Sequence, residues 1–81
     1  MAHQLVVEVG KLKGPFRGFN NRQTRFVFCD GKTWLQNEVK YHYFYASSPR
    51  ARVIYESGIY SLEVDGTEET VQVISELGQS R

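Results

Sequence analysis

The residues best suited to covalent or acid–base chemistry in this chain are its single cysteine, Cys29, and the histidine His42. A thiolate nucleophile beside a histidine base would make a small enzyme with a pocket around His42. However, no carboxylate adjacent to His42 is placed to orient its ring, and free cysteines are usually buried. We therefore expect a buried, unreactive Cys29, a His42 packed between aromatic rings, and no catalytic residue.

Metal and cofactor binding are not indicated by the sequence. One cysteine and two histidines, His3 and His42, are too few for a structural zinc site with several cysteine ligands. The chain has no glycine-rich phosphate loop and no nucleophile elbow. Its acids Glu56, Glu63 and Asp65 fall at strand ends or opposite apolar residues, as on a solvated face. The sequence predicts no metal ligand and no cofactor.

A basic loop, residues 11–25, is a candidate for nucleic-acid binding because it carries five cations and no acid. Rings beside cations commonly hold single-stranded nucleic acid, so Phe16, Phe19, Arg17 and Arg22 are candidate contacts. The formal net charge of only +1 disfavours this as the main role. The alternative is that both rings fold inward as a plug of a small barrel, while the cations neutralise acids near the C-terminus.

The aromatic stretch at residues 40–46, Lys-Tyr-His-Tyr-Phe-Tyr-Ala, is the most informative pattern in the chain. In an extended strand Tyr41, Tyr43 and Tyr45 point to one side, and His42 and Phe44 point to the other. Neither side is fully polar, so one is expected in the core. The other is then covered by a loop, left as a patch, or packed on a partner. The tyrosines are candidate binding residues.

The elements that must position these residues all read as short strands. Alternating apolar residues predict strands at residues 4–9, 24–30, 32–36, 50–56, 59–64 and 70–74, with a bend near Asn37. Asp30-Gly31, Ser57-Gly58 and Asp65-Gly66 are turn signals between them. No helix of three turns is indicated. The predicted fold is an all-β, small antiparallel barrel of five to seven short strands, SH3-like or OB-like. Its core should contain Trp34, Phe26 or Phe28, Tyr60, Leu62, Val64 and Val73.

With 81 residues the chain is expected to form one domain, residues 1–77, followed by a flexible tail at residues 78–81. A lone cysteine does not imply an oxidising compartment. The sequence has no signal peptide pattern and no apolar run of membrane-spanning length. These features predict a cytoplasmic protein that does not contact a membrane.

The order of several motifs resembles an uncharacterised family of small bacterial all-β domains. The resemblance covers residues 14–74 and rests on a start at Gly14-x-Phe16-x-Gly18-Phe19, a Gly31-x-x-Trp34-x-Gln36 hairpin, the tyrosine strand ending near Pro49, and a Gly58-x-Tyr60 hairpin running to Val64-x-Gly66. Phe19 and Lys32 depart from the tryptophan and glutamine of the family pattern. The resemblance implies an all-β fold and brings no established activity.

Three functions remain as hypotheses from the sequence. The first is a non-catalytic binding or assembly module that uses the aromatic strand, as a homodimer or with another protein, and this is the function we favour. The second is a weak single-stranded nucleic-acid binder, and the third is the small enzyme around His42. Tyrosines at a dimer interface would favour the first hypothesis, and aromatic rings exposed beside Arg17 and Arg22 would favour the second. A deep pocket that holds His42 would favour the third.

Overall fold

The computed structural model describes residues 4–76, so the predicted tail at residues 78–81 lies outside the described residues. The strands in chain order are β1 (Leu5–Lys11), β2 (Pro15–Phe16), β3 (Arg25–Val27), β4 (Thr33–Gln36), β5 (Ala46–Ser47), β6 (Arg50–Glu56), β7 (Ile59–Val64) and β8 (Thr70–Ser75). No helix occurs within residues 4–76. The prediction of an all-β fold is confirmed.

Six strands form one antiparallel sheet in the order β1-β6-β7-β8-β4-β3, and β2 pairs with β5 in a separate two-stranded piece. Strands β6, β7 and β8 follow one another as a meander, because tight turns at Ser57-Gly58 and Asp65-Gly66 connect them. The described chain leaves the sheet after Gln36, and a bend at Glu38 confirms the predicted change of direction near Asn37.

The edges of the large sheet, β1 and β3, meet at a single bridge between Leu12 and Phe28. Backbone hydrogen bonds flank it, from Lys13 N–H to the Val27 carbonyl and from Cys29 N–H to the Lys11 carbonyl. The pairing extends no further within residues 4–76, and β3 is only three residues long. Within residues 4–76 the sheet is therefore not closed into a barrel, and the strands number eight instead of the predicted five to seven.

The hydrophobic core lies on the concave face of this sheet. The predicted core residues that are buried there are Trp34, Phe26, Phe28, Leu62, Val64 and Val73. Tyr60 is only half-buried, with its ring centroid 5.3 Å from that of Trp34 and 4.8 Å from that of Tyr55. The core prediction holds except for Tyr60, which lies at the margin of the cluster.

The β3–β4 hairpin follows the predicted Asp30-Gly31 turn, where the Asp30 side chain accepts a hydrogen bond from the Lys32 N–H at 2.9 Å. Phe26 and Phe28 point into the core. Cys29 is exposed, and the expectation that it is buried is wrong. The cause is alternation, because the residue after an inward-facing Phe28 faces outward, and the chain reverses there before any other element covers it.

Candidate binding surface

Residues 15–20 and 41–47 run antiparallel to each other as an irregular ribbon. One end is the β2–β5 pair, where Phe16 is opposite Ala46. At the other end Phe19 and His42 exchange two backbone hydrogen bonds, with N···O distances of 2.8 and 2.9 Å. The register shifts by one residue between these pairs. The predicted strand at residues 40–46 is thus extended, but only its end, in β5, is regular strand.

Gly18 allows the two segments of the ribbon to approach each other closely where the register shifts. Its φ of 92° lies in a region that side-chain-bearing residues rarely adopt. A Cβ atom added there would lie 2.0 Å from the His42 carbonyl oxygen and 2.9 Å from the Phe44 nitrogen. Only glycine fits at position 18 without moving the backbone of residues 41–47.

The inner face of the ribbon is aromatic and packs into the core. Phe16 and Phe19 are buried, with their ring centroids 5.9 Å apart. Phe44 packs partly buried against Phe16 at 6.4 Å. The His42 ring is half-buried, and its Nε2 lies 3.1 Å from Thr67 Oγ1. These contacts fix which side of the ribbon faces inward.

The outer face of the ribbon carries the tyrosines. Tyr41, Tyr43 and Tyr45 are 72%, 61% and 55% exposed, and Val39, just before them, is 87% exposed. We call these four residues the tyrosine face. The predicted alternation is confirmed, since the tyrosines point one way while His42 and Phe44 point the other. The structure adds which side is outside.

A buried glutamine ties the start of the tyrosine face to the sheet. The Gln36 Nε2 donates to the carbonyls of Glu38 and Lys40, at 2.9 Å each, and its Oε1 accepts from the Asn20 N–H at 3.1 Å. These three bonds satisfy most of the hydrogen-bonding capacity of a side chain that is otherwise enclosed in the core. Gln36 therefore holds both segments of the ribbon in place beside Tyr41.

Lys40 lies between Val39 and Tyr41 in the chain but is held away from the tyrosine face. Its Nζ is 3.1 Å from Glu69 Oε1, donates to the Thr70 carbonyl, and lies 5.9 Å from the ring centroid of Phe19. Hydrogen bonding and attraction to Lys40 lower the pKa of the Glu69 carboxyl. The charge of Lys40 is thus neutralised within the fold.

Two arginines from the basic loop flank the tyrosine face. Arg17 follows the inward-facing Phe16, so it projects to the same outer side as Tyr45, the neighbour of Ala46. Arg22 lines a groove of about 550 Å³ together with Tyr41 and Val39. Within residues 4–76 neither arginine has an acidic partner. The surface therefore combines exposed rings with free cations at both ends.

Five of the seven predicted binding residues come together on this surface: Tyr41, Tyr43, Tyr45, Arg17 and Arg22. Phe16 and Phe19 do not, because both are buried in the core, as the alternative interpretation of the basic loop proposed. Sequence reasoning missed Val39 and the groove-lining amides Asn20 and Gln23. The dipeptide Asn20-Asn21 is typical of a turn, but no local sequence pattern predicted that it lies beside Tyr41.

The two residues considered for catalysis have different environments. Cys29 is an exposed free thiol in the turn after β3, and its N–H donates to the Lys11 carbonyl. His42 exchanges backbone hydrogen bonds with Phe19 within the ribbon, and its Nε2 forms a hydrogen bond with the side chain of Thr67 in the loop between β7 and β8. Its ring contacts Phe19, with centroids 6.0 Å apart, as expected for a histidine packed against an aromatic ring.

A buried acid that the sequence did not reveal lies on β1. Glu8 points inward, 3.7 Å from Lys32 Nζ. Burial and hydrogen bonding to Asp30 raise the pKa of the Glu8 carboxyl, whereas hydrogen bonds from the Lys32 backbone and from Glu8 lower the pKa of Asp30. This cluster joins β1 to the β3–β4 turn and lies on strands outside the ribbon.

Within residues 4–76 no three histidine, cysteine or acidic side chains are grouped so as to hold a metal ion. The same residues contain no helix that is long and apolar enough to span a membrane. No protein-family model, curated protein or solved structure matches the chain.

Proposed function

We propose that this protein is a non-catalytic binding module and that the tyrosine face is its recognition surface. The observation that carries the proposal is the arrangement of three exposed tyrosines on one side of a ribbon whose other side is fixed in the core. Large contiguous apolar patches are uncommon on monomers and tend to mark interaction sites. Tyrosine suits such a role because it offers a large rigid contact area together with a hydroxyl group.

The architecture supports this proposal through rigidity. Gln36, Gly18 and the Phe19–His42 bridge restrain the backbone under the tyrosines, so little ordering is required when a partner binds. We further propose that the fold is a distorted small barrel of SH3-like or OB-like type. The Leu12–Phe28 bridge between the two edge strands supports that classification, as does the resemblance to small bacterial domains.

The proposal is tested by a triple substitution of Tyr41, Tyr43 and Tyr45 by serine. A matched control replaces three exposed apolar residues elsewhere, Val6, Val9 and Ile59, by serine. Each protein is used to capture partners from a lysate of the native host, and its oligomeric state is measured by sedimentation velocity. We expect the tyrosine variant, but not the control, to lose partners or self-association. A tyrosine variant that retains everything the parent binds would contradict the proposal.

A further inference from the structure

The charges around the tyrosine face are locally unbalanced although the chain as a whole is nearly neutral. The acids in the second half of the chain are largely paired internally, through Arg25–Glu76, Lys40–Glu69, and Arg52 with Glu63 and Asp65. The four other cations of the basic loop have no acidic partner within residues 4–76: Lys11, Lys13, Arg17 and Arg22. Of these four, Arg17 and Arg22 flank the tyrosines, so this surface is locally cationic although the net charge is only +1.

This imbalance disfavours a second copy of the chain as the occupant of the tyrosine face. A two-fold interface places the same patch on both sides, so Arg17 and Arg22 would meet the same unpaired cations. The groove lining contains the unpaired Arg22 and no acid that could compensate its charge, while the charge of Lys40 is already paired with Glu69. Like charges facing each other without a partner are destabilising. An anionic ligand has the complementary charge.

The spacing of the rings favours an extended anion that carries flat groups. Tyr41, Tyr43 and Tyr45 are alternate residues of an extended segment, so successive rings are roughly 7 Å apart along it. Each ring can stack on one base of an unpaired strand, and such stacking is tolerant of base identity. At the Tyr41 end, the exposed amides of Asn20 and Gln23 line the groove and can hydrogen-bond to base edges.

Resting on the proposed function of the tyrosine face, we propose that its ligand is single-stranded nucleic acid. The bases stack on Tyr41, Tyr43 and Tyr45, while the phosphates contact Arg17 and Arg22. The aromatic contribution comes from the tyrosines, because the two phenylalanines of the basic loop are buried. With few phosphate contacts the affinity is modest and falls with salt.

The test is fluorescence anisotropy with a labelled oligothymidylate and a labelled oligouridylate of about twelve nucleotides, within the usual site sizes of such surfaces. At about 50 mM salt we expect dissociation constants of about 1–100 µM. Tyr43→Leu, which keeps an apolar side chain but removes the ring, should weaken binding about 5- to 150-fold. Tyr43→Phe should retain it, since the ring remains.

The cation variants test the phosphate contacts. Arg17→Gln and Arg22→Gln should each weaken binding and reduce the slope of log K against log salt by about 0.7. Lys11→Gln, an equal change of charge on β1, should leave the slope unchanged. Thermal melts that match the parent establish that each variant is folded.

Four results would overturn the proposal. The first is a parent protein that binds neither oligonucleotide at about 50 mM salt, and the second is a Tyr43→Leu variant that binds like the parent. The third is a Lys11→Gln variant that weakens binding as much as Arg17→Gln does. The fourth is tighter binding of a labelled oligoglutamate than of either oligonucleotide. The last result would assign an acidic peptide to the surface. If neither oligonucleotide binds while the triple serine variant still loses its captured partners, the tyrosine face remains the recognition surface. Only the assignment of nucleic acid as its ligand is then wrong.

Discussion

Within residues 4–76, most of the exposed large apolar side chains lie in two regions, the edge strand β1 and the tyrosine face, and the two regions differ in what accompanies them. On β1, Leu5, Val6, Val7 and Val9 are exposed. That strand also has a bulge and an inward-pointing charge, Glu8, which are two devices that protect sheet edges against pairing. The ribbon that carries the tyrosine face also has a register shift, but its outer side is flanked by the unpaired Arg17 and Arg22 and not by a buried acid. Exposure alone thus does not identify a binding surface; the neighbouring charges and the backbone restraints do.

The largest expected effect removes the core on which both regions depend. Trp34→Ala should destabilise the fold by about 3–5 kcal/mol, because it empties the space of a large buried ring. Chemical denaturation and thermal melting measure this loss. Trp34→Phe is the control, since it keeps a ring and removes an indole N–H that is buried without a hydrogen-bond partner within residues 4–76. A Trp34→Ala protein that melts within a few degrees of the parent would show that the core assignment is wrong.

The second effect should be confined to the ribbon that carries the tyrosine face. Gly18→Ala introduces a Cβ against the His42 carbonyl at a positive φ, so we expect a loss of about 1–3 kcal/mol that is concentrated in the ribbon. Native-state hydrogen exchange should show faster exchange of the Phe19 and His42 amides, with slow exchange kept in β6 and β7. Gly31→Ala, where the added Cβ meets nothing within 4 Å, controls for backbone strain alone. Equal acceleration throughout the sheet would contradict a separate role for the ribbon.

The third effect belongs to the β1 region and depends on pH. Because the pKa of Glu8 is raised in the folded state, the folded protein binds its proton more tightly, and stability falls as the pH rises from about 4.3 through the raised pKa. Glu8→Gln should flatten this slope and increase stability at pH 7, because the raised pKa means that the charged carboxylate is disfavoured in the folded state. Urea denaturation between acid and neutral pH measures it. A steeper slope in Glu8→Gln would contradict the assignment.

Asp30 acts in the opposite direction and must be separated from Glu8 in that experiment. Its pKa is lowered, so its contribution is present above the ordinary aspartate pKa and is lost as the pH falls through the lowered value. Asp30→Asn in the Glu8→Gln background should therefore reduce the loss of stability at acid pH, and the part that comes from Glu69 should remain.

The fourth effect should be close to zero for stability and large for binding. Replacing Tyr43 by serine removes a side chain that is mostly exposed, so the free energy of unfolding should change by less than about 0.5 kcal/mol. If binding is lost while the melting temperature is kept, the tyrosine face serves recognition and not folding. A large loss of stability would mean that the tyrosines are structural.

The smallest expected effect concerns Cys29. Since its side chain is exposed in a turn, Cys29→Ser should change stability by less than about 0.5 kcal/mol, and a thiol reagent should label the folded protein nearly as fast as the unfolded one. Labelling kinetics with and without denaturant measure this. Protection in the folded state would contradict the exposed position.

Much of the fold follows from local patterns in the sequence. Alternation predicted the β6–β7–β8 meander, the β3–β4 hairpin and most of the core, since side chains of a strand point to opposite faces whatever the surrounding fold. The expectation for Cys29 failed although the same alternation applied to it. The expectation of a buried Cys29 relied on the average behaviour of cysteine, whereas the inward direction of Phe28 decided the outcome.

The candidate surface was only partly predictable. The tyrosines and the two arginines were identified from residue type, but Phe16 and Phe19 were placed beside them only because they are close in the chain. Nothing local indicated that Gln36 would bridge Asn20 and Lys40, or that Glu8 would be enclosed near Lys32. Buried polar residues are satisfied by partners distant in sequence, so single-sequence patterns do not reveal them.

By itself the sequence determined that the chain forms short antiparallel strands and that Tyr41, Tyr43 and Tyr45 share one side, because alternation is a property of the extended backbone. Only the tertiary structure decided which side is outside. That choice depends on the pairing of residues 15–20 with residues 41–47 across the close contact at Gly18, which directs Phe19, His42 and Phe44 to the core. Such pairing between distant segments depends on total burial, to which many residues contribute at once.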